Sequence, residues 1–236
     1  MSTSLQHHLE SGGKLFITLA GAMSTAGIGK LLAPLIHRGS IAGISCTGAN
    51  LEEDVFRMMA FPHYETIENW RLLSVTDEEE LFRKKLNRVT DVCIPEEEAI
   101  RTLEEYLLNA WEQASTAGQR QLPHHYFYDV LRNETMLAQC EGDQNASWVL
   151  AAAQTNLPLF VPGWEDSTTG NIFAARSLED KIDSDCVLSG IEYMKQLADW
   201  YQQQTTPLAF LQIGGGIAGD FPICVVPMLN QDLERD

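Results

Sequence analysis

Basic residues and long apolar runs are both scarce in this sequence. Its 236 residues include 16 Lys and Arg against 33 Asp and Glu, which gives a formal net charge of −17 at pH 7. This balance argues against nucleic-acid binding, because that function requires a basic surface. No apolar run approaches the roughly 18 residues that a membrane-spanning helix needs. Residues 1–11 are polar and lack the apolar core of a signal peptide, so we expect a cytoplasmic protein.

Cysteines are few, and their spacing suggests no pairing. The five lie far apart and form no C-x-x-C pair: Cys46, Cys93, Cys140, Cys186 and Cys224. This pattern indicates reduced thiols rather than a disulfide framework or a zinc site, so we predict no bound metal. The acidic composition allows two interpretations. It attracts a cationic ligand such as a polyamine, or it only keeps the protein soluble.

Apolar, β-prone runs alternate with helical patterns along the chain. We predict strands at residues 14–19, 41–46, 157–161 and 208–213. Helices are predicted at residues 24–38, 51–59, 78–86, 147–156 and 187–203, and another begins at Pro95. This alternation predicts a single α/β domain, residues 1–236, with a mostly parallel sheet and helices on both faces.

Some of these helices carry more specific expectations. Ser24 is predicted to be the N-cap of the first, with Leu31 on its buried face. Ile191 and Tyr201 are predicted to belong to the buried stripe of the last. The three glutamates after Pro95 are interpreted as charges that oppose the positive end of a helix dipole.

Four loops are predicted to follow the carboxyl ends of the strands, where ligands bind in such sheets. They lie at residues 20–25, 47–54, 162–171 and 214–220. Residues 214–219, GGGIAG, match G-x-G-x-x-G after a strand. That pattern fits a nucleotide-binding turn, but it also fits an ordinary tight turn between a strand and a helix.

Carboxylates are concentrated in two of these loops. Glu52, Glu53 and Asp54 open a helix beside a glycine-bearing turn. They either compensate that helix's dipole or hold ammonium groups and stabilise a developing positive charge. Trp164 precedes two further acids, Glu165 and Asp166, and is either a core anchor or a platform for a ligand.

Five segments together resemble successive blocks of the bacterial deoxyhypusine synthase-like proteins, and more distantly deoxyhypusine synthase and homospermidine synthase. They read GGKLFITLAGAMSTA, ISCTGANLEEDVF, NRVTDVCIPEEEA, PLFVPGWEDSTTGNIFAA and FLQIGGGIAGDFPICVVPML. The blocks follow the family's order and cover nearly the whole chain. The resemblance implies a Rossmann-like fold that binds NAD and usually forms a homotetramer.

The same resemblance implies an NAD-dependent aminobutyl transferase. Spermidine or a related amine is oxidised to an imine, and the aminobutyl group passes through an enzyme lysine to an acceptor amine. The implied cofactor residues are Gly21, Ala22, Thr25, Thr47, Gly48, Ala49, Glu53, Asp166, Gly214, Gly215 and Gly216. The implied substrate residues are Glu52, Glu53, Asn171 and Asp220.

This chain also departs from the family pattern. Asn171 replaces an aspartate that binds the polyamine, and Gly219 and Asp220 replace a Lys-His pair. The family's reactive lysine lies in a Trp-Gly-Lys motif, which the six lysines of this chain do not match, so no catalytic residue is assigned. We expect a domain truncated at both ends relative to the family. Two interpretations stay open: a transferase, or an inactive member that binds NAD or a sister subunit and acts as a regulator.

Overall fold

A four-stranded parallel sheet forms the centre of the computed structural model, which describes residues 2–235. Within those residues the strands are Lys14–Leu19 (β1), Ile41–Cys46 (β2), Glu65–Thr66 (β3), Leu86–Val89 (β4), Val92–Pro95 (β5), Leu159–Phe160 (β6) and Leu208–Ile213 (β7). The central sheet has the order β6-β2-β1-β7, and every neighbouring pair in it is parallel. The prediction of a mostly parallel sheet is confirmed.

Helices flank this sheet, as predicted. They are Ser2–Glu10 (α1), Gly29–His37 (α2), Gly48–Ala60 (α3), Val75–Arg83 (α4), Thr102–Ala117 (α5), Pro123–Leu131 (α6), Glu134–Ala138 (α7), Trp148–Thr155 (α8), Thr168–Leu178 (α9), Gly190–Gln202 (α10), Ile217–Ile223 (α11) and Val225–Pro227 (α12). A π-helical segment, Glu96–Arg101, leads into α5. No helix within residues 2–235 is both long and apolar enough to cross a membrane.

The core lies on both sides of β1 and β2. Nearly every residue of β1 is buried, as expected for a parallel strand covered by helices. Phe16 stacks on Phe210 of β7 at 5.9 Å between ring centroids and meets Trp200 of α10 at 5.3 Å. Gly43 of β2 leaves room for these rings, because a Cβ there would lie 3.2 Å from the Phe16 ring.

The segment between α3 and α5 forms a second, smaller sheet and a helix. β3, β5 and β4 form a small antiparallel sheet in that order. The predicted helix at residues 78–86 instead spans Val75–Arg83, because Ser74 and Asp77 form a capping box that begins it earlier. Residues 86–89 then form β4 rather than the end of that helix.

Four of the residue predictions for these helices are wrong. Ser24 is not an N-cap, since α2 begins at Gly29 and the buried Ser24 hydroxyl donates to the Asn50 carbonyl at 2.6 Å. Leu31 is 71% exposed rather than buried. In α10, Ser189 is the cap, and Ile191 and Tyr201 are exposed rather than buried, at 70% and 39%.

Candidate functional site

The loops after β1 and β2 are joined by one buried side chain. The Asn50 carboxamide donates to the Gly21 carbonyl at 2.6 Å and to the Thr47 hydroxyl at 2.9 Å. Its oxygen accepts from the Ser24 backbone N–H at 3.1 Å. Since β1 and β2 are parallel neighbours, their carboxyl ends share one edge of the sheet, and Asn50 holds both loops there.

The loops after β6 and β7 lie against the same edge. A Cβ on Gly48 would lie 2.7 Å from Ser167 Cβ, so the α3 start packs directly on the loop after β6. A Cβ on Gly214 would lie 2.9 Å from both Cβ and O of Ala20, so the loop after β7 packs on the loop after β1. The four loops singled out by the sequence therefore meet at one place.

Glycine serves different purposes along the GGGIAG segment. Gly214 has a φ of +82° and no room for a side chain, so the tight turn requires it. Gly219 packs against the Gln212 side chain. Gly215 and Gly216 are exposed and have open space where a side chain would project. α11, the helix that follows, has only seven residues. The G-x-G-x-x-G match is therefore a tight turn that is packed at Gly214 and Gly219 and open at Gly215 and Gly216.

Glu52 caps the N-terminus of another helix. Its carboxylate accepts from the N–H groups of Thr168 and Thr169 at 2.8 and 2.7 Å, and from the Thr169 hydroxyl at 2.7 Å. Glu52 is 2% exposed, and burial raises the pKa of its carboxyl while the hydrogen bonds from Thr169 and Thr168 oppose the rise. Glu52 therefore satisfies the free donors at the start of α9.

Asp54 does the same for α8. It accepts from the Ser147 hydroxyl at 2.5 Å and from the Val149 N–H at 3.0 Å. Burial raises the pKa of Asp54 to about 6. The idea that these acids compensate the dipole of their own helix is wrong, because α3 begins at Gly48 and has no acid in its first turn.

Glu53 lies between Glu52 and Asp54 in sequence, but its carboxylate bonds to the loop after β1. The Thr25 hydroxyl donates to its carboxylate at 2.5 Å. It is 8% exposed, and burial raises the pKa of its carboxyl. Glu53 also lines a cleft of about 750 Å³. Glu52 lines the same cleft, but its carboxylate is bonded to the start of α9, whereas the carboxylate of Glu53 is bonded to Thr25 of the first loop.

The cleft beside Glu53 has apolar walls and an ionic rim. Phe56, Ile94 and Ile100 line it. On the rim, Lys85 pairs with Glu97, and Arg101 pairs with Glu96 at 2.5 Å. β4, β5 and the π-helical segment build this side of the cleft, and of these the sequence predicted only the helix that begins at Pro95.

The remaining predicted site residues divide into an outer and an inner group. Gly21, Asp166, Gly214, Gly215, Gly216 and Asp220 are exposed, Ala22, Thr47 and Ala49 are partly buried, and Thr25 and Gly48 are buried. Asn171 is exposed on α9, where its side-chain amide donates to the Ser167 carbonyl at 2.7 Å. No described contact joins Asn171 to Asp220.

Sequence analysis missed the buried residues whose hydrogen bonds hold the loops of the site in place. Asn50 is one, although its position three residues after Thr47 is typical of the first turn of a capped helix. Trp148 is another, and its indole N–H donates to the Ser24 hydroxyl at 3.0 Å. That contact joins residues 124 positions apart, so no local pattern could indicate it.

The raised pKa of Asp54 predicts a pH-dependent contribution to stability. The ordinary value is 3.8 and the folded value is about 6, so the folded state binds the proton more tightly. The resulting stabilisation is present at low pH and is lost as the pH rises through 6. The free energy of unfolding of wild type, minus that of Asp54→Asn, should fall by about 1 kcal/mol between pH 5 and pH 7. Urea unfolding at both pH values measures it, and a difference that does not change with pH contradicts the assignment.

Comparisons with known proteins point to the same family as the five sequence blocks. The family profile described as deoxyhypusine synthase matches residues 3–234. A protein from Aeropyrum pernix named probable deoxyhypusine synthase is 30% identical over 215 residues, which are 91% of this chain and 64% of the relative. A deoxyhypusine synthase-like protein from Coxiella burnetii is 26% identical over 88% of this chain and 55% of its own length.

The fold has a counterpart among solved structures. The crystal structure of a candidate deoxyhypusine synthase from Entamoeba histolytica superposes with a TM-score of 0.56 at 13% identity. The match covers 86% of this chain and 60% of that one. The chain thus spans between 55% and 64% of the length of these relatives.

Proposed function

Because the chain belongs to the deoxyhypusine synthase family, we propose that the carboxyl edge of its parallel sheet binds NAD and serves aminobutyl transfer from a polyamine such as spermidine. The supporting observation is the meeting of four loops where the strand order changes direction, between β1 and β7. Ligands of open α/β sheets bind in the crevice at such a switch point.

The N-terminus of α3 is suited to the diphosphate of NAD. Within residues 2–235, the N–H groups of Gly48 and Ala49 have no hydrogen-bond partner. The N–H groups at the N-termini of α8 and α9 already donate to Asp54 and Glu52 of this chain. Helix N-termini attract phosphate through free N–H groups and the helix dipole. The residues at the edge therefore fit the cofactor, with α3 holding the phosphates and the exposed faces of Gly21, Gly215 and Gly216 beside it.

Glu53 is the proposed contact for the amine substrate. Its carboxylate borders the cleft and is fixed by the Thr25 hydroxyl. An ammonium group that enters the cleft would pair with this buried carboxylate, and the aliphatic part of a polyamine matches Phe56, Ile94 and Ile100. Glu52 also lines the cleft, but its oxygens hold α9, so we give it a positioning role. NAD, when bound, supplies the hydride acceptor for oxidation of the amine.

A second candidate is a non-catalytic family member that binds NAD and a sister subunit. It is favoured by the placement of lysine, the residue type on which the family's covalent step depends. Of the six lysines, only Lys85 lines the cleft beside Glu53, and there it is paired with Glu97. Both candidates bind NAD at the same site. They differ in whether the chain forms the covalent lysine adduct.

Ala49→Asp tests the phosphate site. The substitution places a carboxylate in the first turn of α3, which suits the helix dipole but repels the diphosphate. We expect NAD affinity, measured by calorimetry, to fall about tenfold or more, while the melting temperature is kept. Thr205→Asp, an exposed loop change of equal charge, should leave NAD affinity unchanged. If wild type and Ala49→Asp bind NAD with equal affinity, the diphosphate does not bind at the start of α3. If wild type does not bind NAD at all, the cofactor proposal is wrong.

A further inference from the structure

We infer that a second cavity, separate from the four loops, binds one uncharged heteroaromatic ring system of the size of a purine base, through acceptor atoms on the ring. The cavity has a volume of about 220 Å³ and lies between α6, α10 and the segment that leads into β6. None of its lining residues belongs to the four loops. The inference therefore goes beyond the proposed function, and its test requires neither NAD nor a polyamine.

A buried histidine presents a free donor to this cavity. His124 is 2% exposed, and its Nδ1 lies 2.8 Å from the Tyr193 hydroxyl. Tyr193 does not line the cavity although His124 does, so the opposite edge of the imidazole, which carries Nε2, faces the cavity. Nε2 has no hydrogen-bond partner among residues 2–235. It is also not one of the fully enclosed unpaired polar atoms of those residues, so a ligand can reach it.

The hydrogen bonds of Tyr193 fix the position of the imidazole proton. Its hydroxyl oxygen accepts from the His124 backbone N–H at 3.3 Å. Burial holds the pKa of Tyr193 well above its usual value, so the hydroxyl keeps its own proton. Among residues 2–235, the acceptor within reach of that proton is His124 Nδ1. Since Nδ1 accepts, Nε2 carries the ring proton and is a donor.

Asn156 supplies a second donor of fixed orientation. It ends α8 in the left-handed conformation, with a φ of 56°. Its Oδ1 accepts from the Arg132 guanidinium at 2.9 Å, and its amide N–H groups have no partner among residues 2–235. Gln196, which also lines the cavity, is exposed and can donate or accept. Two oriented donors favour a ligand that offers acceptors.

The walls of the cavity favour a flat, uncharged ring. Tyr128, Phe160 and Trp200 line it, together with the imidazoles of His124 and His125, whose centroids are 4.1 Å apart. Burial lowers the pKa of both imidazoles, so both are neutral at neutral pH. None of the described residues that line the cavity is Asp, Glu, Lys or Arg. Heteroaromatic rings stack on aromatic walls of this kind.

The volume limits the ligand to one or two fused rings. It is below the roughly 300–1,000 Å³ of pockets for drug-sized ligands and well above the roughly 30 Å³ that one water occupies in the liquid. A phosphate group is disfavoured, because the chain has a net charge of −17 and no Lys or Arg of the described residues lines the cavity. The ligand is therefore a free base rather than a nucleotide.

Two probes of equal shape test the inference. Benzimidazole and indole are both fused bicyclic rings, but only benzimidazole has an unprotonated ring nitrogen that accepts a hydrogen bond. By calorimetry at slightly alkaline pH, the 236-residue chain should bind benzimidazole about tenfold or more tightly than indole. Nitrogen NMR should show the Nε2–H tautomer of His124 and a shift of that resonance on binding, with exposed His37 unchanged. Equal binding of the two probes, or no binding of benzimidazole because the donor holds only water, overturns the inference.

Variants with matched controls locate the site. His124→Phe combined with Tyr193→Phe replaces both partners of the buried hydrogen bond by rings of similar shape, so the melting temperature should change little. Benzimidazole affinity should fall about tenfold or more. Gln196→Ala should lower it about threefold, whereas Gln154→Ala, exposed on α8 and outside the cavity, should not. Benzimidazole binding that is unchanged in the double variant and in Gln196→Ala would contradict the assigned site.

Discussion

Replacing Glu52 with alanine is expected to lower the free energy of unfolding by about 3–5 kcal/mol. The substitution removes a 2% exposed carboxylate that accepts three hydrogen bonds at the start of α9. The N–H groups of Thr168 and Thr169 would lose their partner, and that of Thr169 lies in a buried residue. Urea unfolding monitored by circular dichroism measures the loss.

Two control variants sharpen that experiment. Glu52→Gln keeps one acceptor oxygen and should cost clearly less than Glu52→Ala. Glu105→Ala removes an exposed glutamate from α5 and should change the free energy of unfolding by less than about 0.5 kcal/mol. A cost below about 1 kcal/mol for Glu52→Ala would show that Glu52 does not hold α9, and its proposed role would return to ligand binding.

The purified 236-residue chain is expected to form no covalent aminobutyl adduct with spermidine and NAD. An amine must come within about 3–3.5 Å of the imine carbon for the transfer step. Lys85, the lysine at the cleft, is exposed and held in an ion pair with Glu97. Lys14 begins β1 and so lies at the opposite end of the strands from the four loops. Mass spectrometry after borohydride reduction measures trapped adduct, and chromatography measures released 1,3-diaminopropane.

The outcome of that experiment separates the two candidate functions. Adduct on Lys85 that disappears in Lys85→Arg would establish the transferase within this chain and contradict the prediction. NAD binding without adduct would support the non-catalytic candidate.

The strands were the most predictable part of the fold. The runs at residues 14–19, 41–46 and 208–213 match β1, β2 and β7, because continuous apolar, β-branched runs between turns are typical of buried parallel strands. β6 is shorter than residues 157–161, since only two residues pair with β2. The meeting of the loops followed from parallel pairing alone.

Long-range polar contacts were the least predictable part. Ser24 has the residue type of an N-cap, but its hydroxyl and amide are used by Asn50 and its oxygen by Trp148. The three consecutive acids looked equivalent in sequence, yet Glu52 bonds to the start of α9, Glu53 to Thr25 and Asp54 to the start of α8. Such differences depend on partners far along the chain, and local propensity and periodicity cannot predict those partners.

The second turn of α3 has a consequence for how the protein folds. Glu52, Glu53 and Asp54 bond to partners 116, 28 and 93 positions away in sequence. This turn can be buried only after α8, α9 and the first loop have all arrived, because each loop closure must precede the contact that rewards it. Burial of these three side chains therefore depends on contacts that are non-local in sequence, even though α3 itself is a local element.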